Sequence, residues 1–477
     1  MGDIDWLVEE VEHGPHGPQV GAFFDFDGTL IDGYSALAFF RERIKTRDID
    51  AKELFQTLVE SVNVERRGHD VSRIMDIALG AQAGKSIGEL ETFGRRIFQN
   101  KIADMIYPDA RILLEAHRNA GHTIVLASSA TPPQVAPAAE DLGIEHILCT
   151  EVEDLDGLLT GLVRGPIRWG EAKADAVREF AATHDIDLLQ SYTYSNGAED
   201  VPFLESAGHP RPLNADDDLI AVARERDWPI AKFSLPHRHN PITLARSAAA
   251  IGALGLGLNL GIAMALLNRD RSIGAHIAAS VGADLALAAA GVKLNIVGEE
   301  NLWSHRPAVF LFNHQSQLDM MLLGALLRKD FTGVAKKELA HDPFFAPIGY
   351  LADVAYIDRK NAKAAHEALA PVTDALKNGR SIAIAPEGTR SPTPRLLPFK
   401  KGGFFMAMTA GVPVVPIVMR NAGDVMRPHS LVISSGVVDI AVLPPVSSEG
   451  WTQKNLGDQV EHVRNMYIDT FAHWPTK

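Results

Sequence analysis

Cysteine is almost absent from this sequence of 477 residues, and its single copy is Cys149. One cysteine cannot form an intramolecular disulfide, so the chain lacks the cross-links that are typical of small secreted proteins. Cys149 follows two apolar residues, Ile147 and Leu148. We therefore expect it to be a small, buried hydrophobic side chain.

A dense cluster of lysine and arginine is also missing, as is any recognisable nucleic-acid-reading module, which argues against nucleic acid as a partner. Residues 1–6 are acidic where an export signal would be basic, so no secretion signal is expected. Residues 1–239 hold 23 Lys and Arg against 41 Asp and Glu, whereas residues 240–477 hold 23 against 19. This asymmetry suits a cytosolic acidic lobe joined to a mildly basic lobe that meets anionic lipid or a phosphorylated substrate.

The length of the chain predicts at least two domains, because single hydrophobic cores stop growing at about 250–300 residues. We expect a loose tail over residues 1–17 and a first domain over residues 18–235. In this domain short apolar runs alternate with helical segments, which predicts a doubly wound parallel sheet. Residues 35–105 show helical spacing and are interpreted as a helical insertion. A second α/β domain is predicted over residues 292–477.

A long apolar stretch, residues 242–291, lies between these domains. Its first part, residues 247–267, is a run of 21 residues without a charge, and such a run above about 18 residues is typical of a membrane-inserted helix. The second part, residues 273–290, contains His276 and Asp284, which make it a poor spanning segment by itself. We expect two membrane-associating helices here; the alternative is a buried helix rich in alanine and glycine.

The first chemical motif follows an apolar run and reads Asp25-Phe26-Asp27-Gly28-Thr29-Leu30. A phosphatase that forms an aspartyl phosphate needs a carboxylate nucleophile, a second carboxyl group to protonate the leaving oxygen, and a cation. Asp25 and Asp27 lie two residues apart on a tight turn, so both can face one phosphorus atom. Gly28 permits the turn, and Thr29 is expected to bond phosphate oxygens. The pattern predicts phosphate-ester chemistry.

This motif resembles that of the haloacid dehalogenase superfamily, in particular its phosphoserine-phosphatase-like branch with a helical cap, and the resemblance extends over about residues 18–225. It implies a Rossmann-like fold in which Asp25 is the nucleophile. Asp27 would be the acid/base, and its main-chain carbonyl would also meet Mg²⁺. Ser128 would bind phosphate, and Lys173 would neutralise the nucleophile and the phosphate.

Two positions depart from the pattern of this family. Asn196 stands where relatives carry an aspartate that binds Mg²⁺, and its oxygen can ligate the ion only without a full negative charge, so we expect weaker affinity. Asp200 is a candidate to compensate, which makes Asp25, Asp27, Asn196 and Asp200 the expected metal site. Tyr34 occupies the place of a glutamate that meets the amino group of phosphoserine in phosphoserine phosphatases. Phosphoserine is therefore not the expected substrate.

The second chemical motif reads Asn313-His314-Gln315-Ser316-Gln317-Leu318-Asp319. Esterification of an alcohol by a thioester needs a base for the hydroxyl proton, and histidine is one at neutral pH. Asp319 can fix the tautomer of His314 and stabilise its imidazolium. Because a spacing of five does not put both on one face of a helix, His314 is expected on the turn after a strand and Asp319 in the next helix. Such a pair alone is often accidental.

Further blocks support the second motif, and they read as follows: Lys336-Lys337-Glu338-Leu339, Tyr356-Ile357-Asp358-Arg359, Pro386-Glu387-Gly388-Thr389-Arg390-Ser391, Phe399-Lys400-Lys401-Gly402 and Val412-Pro413-Val414-Val415-Pro416. The set resembles the lysophosphatidic acid acyltransferase family over about residues 242–450. The resemblance implies a His314–Asp319 dyad, an acyl-CoA or acyl-carrier-protein donor and a lysophospholipid acceptor. It implies that these residues surround the acceptor phosphate: Lys336, Lys337, Arg359, Glu387, Gly388, Thr389 and Arg390.

We therefore expect a 1-acylglycerol-3-phosphate acyltransferase at the cytoplasmic face of a membrane, fused to a Mg²⁺-dependent phosphatase. Two alternatives stay open. In one, the acceptor is another lysophospholipid or glycerol 3-phosphate and the phosphatase-like lobe is regulatory. In the other, the chain is chiefly a hydrolase that its second domain docks on membranes.

Overall fold

The computed structural model describes residues 4–46, 72–234, 240–341, 345–357, 372–428 and 430–475. The chain divides into two compact units, Met1–Arg238 and His239–Lys477. Each unit contains its own sheet flanked by helices. The predicted fold class, two α/β domains with two long apolar helices before the second sheet, is confirmed.

A five-stranded parallel sheet in the order β3-β2-β1-β6-β7 forms the centre of the first unit. The strands of this unit are β1 Gly21–Phe24, β2 Thr123–Ala127, β3 His146–Leu148, β4 Glu151–Leu155, β5 Leu158–Arg164, β6 Tyr192–Ser195 and β7 His209–Pro212. Its helices are α1 Asp5–His13, α2 Ser35–Lys45, α3 Ser72–Gly80, α4 Ile87–Asn100, α5 Pro108–Asn119, α6 Pro132–Leu142, α7 Glu171–Thr183, α8 Val201–Leu204 and α9 Asp217–Glu225. Phe23 and Phe24 lie in two separate hydrophobic clusters. Both faces of the sheet are therefore covered, as in other parallel sheets.

The expected loose tail over residues 1–17 is wrong, because helix α1 packs against α5 within the first unit. Leu7 and Val11 of α1 are fully buried, and their spacing of four residues places them on one face of the helix. Glu10 of the same helix forms an ion pair with Arg211. The glycines and prolines of residues 14–18 favoured a loose tail. Leu7 and Val11, upstream of them, nevertheless pack into the hydrophobic core of the first unit.

A chain of hydrogen bonds beneath the sheet holds the segment that follows α1. The Tyr194 hydroxyl lies 2.8 Å from His117 Nε2, His117 Nδ1 lies 2.8 Å from His122 Nδ1, and His122 Nε2 lies 2.7 Å from the Pro15 carbonyl. A carbonyl only accepts, so His122 Nε2 carries a proton and, in the neutral ring, Nδ1 accepts. His117 Nδ1 must then donate, and Tyr194 donates to His117 Nε2. Burial lowers the pKa of both imidazoles, so we assign this pattern, in which both rings are neutral.

The cap combines helices with a hairpin. Helices α2, α3 and α4 and the 3₁₀ turn Ile102–Met105 fall within the predicted cap, of which residues 47–71 lie outside the described residues. Strands β4 and β5 pair antiparallel, and β5 packs on α3. This hairpin was not predicted, although Asp156-Gly157 is a hairpin-turn dipeptide and both residues have positive φ.

The second unit contains a seven-stranded mixed sheet in the order β11-β10-β12-β9-β13-β14-β8, in which only the pair β13–β14 is antiparallel among the described strands. Its strands are β8 Val292–Val297, β9 Val309–Phe312, β10 Phe331–Lys336, β11 Ala355–Ile357, β12 Ser381–Ile384, β13 Val414–Met419 and β14 Gly436–Val442. Its helices are α10 Pro241–Asn268, α11 Arg271–Ala290, α12 Asn301–Ser304, α13 Leu318–Leu327, α14 Phe345–Ala352, α15 Gly402–Ala410, α16 Ala422–Val425 and α17 Leu456–Ala472.

Helices α10 and α11 pack closely on each other through glycine. A Cβ at Gly257 would lie 2.3 Å from Gly282 Cα, and one at Gly261 would lie 2.5 Å from the Gly274 carbonyl oxygen. Both helices are long and apolar enough to cross a membrane by length and composition, and only 22% and 39% of their most apolar windows are buried. Most of this apolar surface is thus left uncovered by the protein.

Two polar side chains of α11 bond to residues of the α/β part of the unit. Asp284 pairs with Arg328 at 2.7 Å, and His276 Nε2 accepts from the Asp330 backbone N–H at 3.0 Å. Helix α11 also packs on α13, where a Cβ at Gly324 would lie 2.7 Å from the Ala279 carbonyl oxygen. Side chains that seemed to argue against a lipid-facing helix therefore face the α/β part of the unit.

Candidate functional site

The carboxyl edge of the first sheet gathers the residues of the first motif. Asp25 follows β1, Ser128 follows β2 and Asn196 follows β6, and both of these strands pair with β1. Parallel strands present their carboxyl ends at one edge, where loops form a crevice. Ser128 is buried and its hydroxyl accepts from the Ala130 backbone N–H at 3.1 Å. The turn of the motif is held by Asn214, whose Nδ2 donates to the Gly28 carbonyl at 3.2 Å.

A buried lysine links two carboxylates at this edge. Lys173 Nζ lies 2.8 Å from Asp25 Oδ1 and 2.6 Å from Asp200 Oδ2, and Ser195 donates to the same Asp200 oxygen at 2.7 Å. Burial alone would lower the pKa of Lys173, but Asp200 and Asp25 outweigh it and raise this pKa, so the ammonium keeps its proton. Burial raises the pKa of Asp25 and Lys173 opposes that shift. Lys173 is therefore a buried cation beside Asp25, where the first motif is expected to need one.

The second carboxyl group of the motif is anchored to the cap. Asp27 Oδ1 accepts from the Ser35 backbone N–H at 2.6 Å and Oδ2 from the Ser35 hydroxyl at 3.0 Å. Burial raises the pKa of Asp27 to about 7, although both bonds from Ser35 act to lower it. A carboxyl group with this pKa is protonated in part at neutral pH and can donate to a leaving oxygen. Sequence reasoning missed Ser35, whose only signal was its position at the start of a helix.

Several oxygens converge where the resemblance expects Mg²⁺. The Thr29 hydroxyl lies 3.0 Å from Asp25 Oδ2 and 3.2 Å from Asn196 Oδ1. It therefore contacts an oxygen of each side chain. Asp200 Oδ1 is buried and makes no hydrogen bond within the described residues. Oxygen donors of this kind fit Mg²⁺. Among the described residues no group of three or more His, Cys, Asp and Glu could hold a metal, so Asp25, Asp27 and Asp200 do not form one by themselves.

The histidine and aspartate of the second motif come together in the second unit. His314 lies on the turn after β9 and Asp319 is the second residue of α13. His314 Nδ1 lies 2.7 Å from Asp319 Oδ2. The same oxygen accepts the backbone N–H groups of Gln315 at 2.8 Å and Ser316 at 2.9 Å. A carboxylate that accepts these bonds fixes the Nδ1–H tautomer, so Nε2 of the ring is the basic atom.

Three further side chains hold the turn that carries His314. Asn313 Nδ2 donates to the Met419 carbonyl at 2.8 Å, and the Met419 N–H donates back to Asn313 Oδ1 at 2.7 Å. The Ser316 hydroxyl donates to the Met426 carbonyl. The Tyr467 hydroxyl donates to the Leu311 carbonyl at 2.7 Å. Asn313 and Ser316 belong to the quoted motif, but their roles were not predicted, because the partners are distant in sequence.

Glu387 bonds the backbones of two segments of the site. Its Oε1 accepts from the His314 backbone N–H at 2.8 Å and its Oε2 from the Leu397 backbone N–H at 2.9 Å. Burial raises the pKa of Glu387 to about 7, while these two bonds act to lower it. The side chain is 2% exposed. Glu387 thus holds the His314 and Leu397 backbones together, and its place beside the acceptor phosphate stays a prediction.

The other residues expected near the acceptor phosphate lie at three places. Gly388, Thr389 and Arg390 follow Glu387 on one turn, with Gly388 at φ +72°, Thr389 exposed and Arg390 partly buried. Lys336 ends β10 and its side chain lies outside the described residues, whereas Lys337 is exposed at the start of the 3₁₀ turn Lys337–His341. Arg359 lies outside the described residues.

Comparison with known proteins assigns each half of the chain. The haloacid dehalogenase-like hydrolase family model matches residues 22–205, and the Acyltransferase family model matches residues 293–420. Phosphoserine phosphatase SerB1 of Mycobacterium tuberculosis is 34% identical over 260 residues, which cover 53% of this chain and 81% of that protein. The 1-acyl-sn-glycerol-3-phosphate acyltransferase of Saccharomyces cerevisiae is 36% identical over 183 residues, 38% of this chain and 60% of that protein. An acyltransferase of Schizosaccharomyces pombe is 34% identical over 189 residues, 39% of this chain and 68% of that protein.

The fold and both sites define a chain of two fused enzyme-type domains. It belongs to both families: a phosphoserine-phosphatase-like domain of the haloacid dehalogenase superfamily, residues 22–205, joined to an acyltransferase domain of the lysophosphatidic acid acyltransferase type, residues 293–420. The predicted resemblances are confirmed. The chain spans 60% of the yeast acyltransferase, so activity and substrates are matters of proposal.

Proposed function

We propose that the chain is a membrane-associated 1-acylglycerol-3-phosphate acyltransferase that uses acyl-CoA or acyl carrier protein as donor and forms phosphatidic acid. The observation that carries this proposal is the 2.7 Å contact between His314 Nδ1 and Asp319 Oδ2, which leaves Nε2 as a base. The yeast relative named 1-acyl-sn-glycerol-3-phosphate acyltransferase supports the choice of acceptor.

In the proposed reaction, His314 Nε2 takes the proton of the acceptor hydroxyl while the hydroxyl oxygen attacks the thioester carbonyl carbon. The carbon–sulfur bond then breaks, and the departing thiolate takes the proton back from the imidazolium. Asp319 stabilises this imidazolium and keeps the ring oriented. A positioned base of this kind contributes about 10²- to 10⁴-fold to the rate.

Membrane association follows from the apolar pair α10 and α11. Helix α13, which carries Asp319, packs on α11 through Gly324. The dyad is thus built on the helix that contacts the lipid-facing element. Long-chain acceptors reside in the bilayer, so holding the base beside it lowers the entropic cost of bringing base and hydroxyl together. We assign the site to the cytoplasmic face, where both candidate donors occur.

For the first domain we propose a Mg²⁺-dependent phosphoric monoester hydrolase. Asp25 attacks phosphorus, the ester oxygen leaves with a proton from Asp27, and water then hydrolyses the aspartyl phosphate with Asp27 accepting its proton. Asp25, the Asp27 main-chain carbonyl, Asn196 and Asp200 would hold Mg²⁺, which supplies charge neutralisation when bound. The support is the buried Lys173 beside Asp25 and the raised pKa of Asp27. Asn196 favours the second candidate, a regulatory lobe without turnover.

One assay of the full-length protein in lipid vesicles distinguishes these functions. Acyl transfer is measured with acyl-CoA and with acyl carrier protein against lysophosphatidate, other lysophospholipids and glycerol 3-phosphate, and phosphate release against a panel of monoesters. We expect His314→Ala to abolish acylation alone and Asp25→Asn to abolish phosphate release alone. Phosphate release without any acyl transfer would support the docked hydrolase. No release, even after Asn196→Asp, would support the regulatory lobe.

A further inference from the structure

Lys400 lies across the turn that follows Glu387. Gly388 has φ +72°, and a Cβ at this position would lie 2.7 Å from Lys400 Nζ and 2.8 Å from its Cδ. The lysine stem therefore rests against the bare Cα of Gly388. Two constraints then call for glycine here, namely the left-handed backbone and the space that the lysine occupies.

The Lys400 ammonium is exposed, and within the described residues no carboxylate or carbonyl bonds it. The neighbouring Lys401 is also exposed but extends elsewhere, since its Nζ would lie 3.6 Å from a Cβ at Gly457 of α17. The side chains of these two adjacent lysines thus lie against different segments of the unit. Of these two lysines, only Lys400 reaches the turn that follows Glu387, the residue whose carboxylate bonds the His314 backbone.

Hydrogen bonds fix Lys400 relative to His314. The Lys400 backbone N–H donates to the Pro386 carbonyl at 2.7 Å, and the Ser391 N–H donates to the His314 carbonyl at 2.7 Å. Glu387 joins the His314 and Leu397 backbones through its two oxygens. The three segments form one hydrogen-bonded unit, so the Lys400 backbone is held in place relative to the His314 backbone, and the lysine side chain lies against Gly388.

We propose that Lys400 binds the phosphate monoester of the acyl acceptor and selects phosphorylated acceptors over neutral ones. This inference rests on the proposed acyltransferase function and adds a residue that the sequence analysis did not assign to the site. An ammonium offers three donors and a full charge, and it meets a phosphate from several directions. Gly388 allows the lysine to lie flat, so the phosphate is bound at the turn and the acceptor hydroxyl extends toward His314.

The test compares Lys400→Gln with Lys401→Gln, which removes the same charge from the adjacent position. Acyl transfer by the full-length protein is measured with lysophosphatidate and with neutral monoacylglycerol. We expect Lys400→Gln to raise KM for lysophosphatidate about 10- to 100-fold, the range for a lost charge-assisted hydrogen bond, with little change in kcat. The monoacylglycerol reaction should not change, Lys401→Gln should behave as wild type, and Lys400→Arg should restore part of the affinity.

Binding of a short-chain lysophosphatidate by calorimetry gives a readout without turnover. Lys400→Gln should weaken this binding by the same factor and Lys401→Gln should not. Equal effects of the two glutamine variants, or an unchanged KM and Kd in Lys400→Gln, would overturn the proposal. If the wild-type protein binds lysophosphatidate through Lys400 but transfers no acyl group, the proposed function fails and the binding inference stands.

Discussion

The carboxylate of Asp27 is bound at both oxygens by Ser35, through its backbone N–H at 2.6 Å and its hydroxyl at 3.0 Å. Ser35 is the first residue of α2, the first helix of the cap. Asp27, the acid in the proposed phosphatase reaction, is therefore held by the start of α2 as well as by the turn after β1. A movement of α2 would displace its carboxyl group.

Replacing Ser35 with alanine tests this coupling. Both bonds from Ser35 lower the pKa of Asp27, which stands at about 7, so loss of the hydroxyl should raise it further. The acid form then persists to higher pH, and the alkaline limb of phosphate release should move upward by about half to one pH unit. The pH profile of kcat measures this shift, with Ser35→Thr as the variant that retains the hydroxyl. An unchanged limb in Ser35→Ala would contradict the coupling.

Asn196→Asp should strengthen the binding of Mg²⁺. The change adds a full charge at an oxygen that already lies close to Asp25 through their shared contact with Thr29. Additional ligand charge raises divalent-ion affinity, here by about tenfold. Calorimetry with Mg²⁺, or electron paramagnetic resonance with Mn²⁺, reports affinity without turnover, and Asp25→Asn should weaken it. If Asn196→Asp binds no more tightly than wild type, this turn is not the metal site.

The hydrogen-bonded chain beneath the first sheet predicts a loss of stability in acid. Burial lowers the pKa of His117 well below 6.5, and burial also lowers that of His122. The unfolded chain therefore binds more protons than the native one below about pH 6.5, so stability is fully present above that pH and falls as acid is added. Pro15, His16, Arg211 and Glu10 are the neighbouring polar groups of this cluster.

Hydrogen exchange at residues 5–20 between pH 7.5 and 5.5 measures this loss. We expect faster exchange at pH 5.5, because a second proton on His122 would make its Nδ1 a donor and force His117 to reverse its bonds to His122 and Tyr194. His117→Gln should remove much of the pH dependence. His13→Gln is the control, since His13 is exposed and its ring bonds the Glu9 carbonyl of its own helix. Equal pH dependence in both variants would show that the chain of imidazoles is not responsible.

Aspartate on the uncovered face of α10 should detach the protein from membranes. Leu256 and Leu260 are 62% and 45% exposed, and an aspartate at the centre of a membrane helix costs about 2.5–3.5 kcal/mol. In liposome flotation, the variant with both substitutions should move to the aqueous fraction. Leu431→Asp, at an exposed leucine outside the two helices, should float as wild type does. If the double variant still floats with the liposomes, helices α10 and α11 are a packed helical pair and not a membrane anchor.

The sequence predicted those features that local chemistry determines. The strand-to-turn placement of Asp25 and His314 follows from apolar runs that end in polar motifs, and both families are confirmed. The buried helix α1 and the role of Glu387 could not be read in the same way, because each depends on a distant partner. Val11 needs α5, and the carboxylate of Glu387 needs the backbones of His314 and Leu397.

The central claim is that His314 is the base for acyl transfer, and His314→Ala in the full-length protein tests it most directly. Asp319 keeps its bonds from the backbones of Gln315 and Ser316 in this variant, so thermal unfolding should match that of wild type and of His305→Ala, an exposed histidine of the same unit. We predict a 10²- to 10⁴-fold lower kcat for lysophosphatidate acylation in His314→Ala, with His305→Ala unaffected. Near-wild-type acylation by a folded His314→Ala protein would contradict the account.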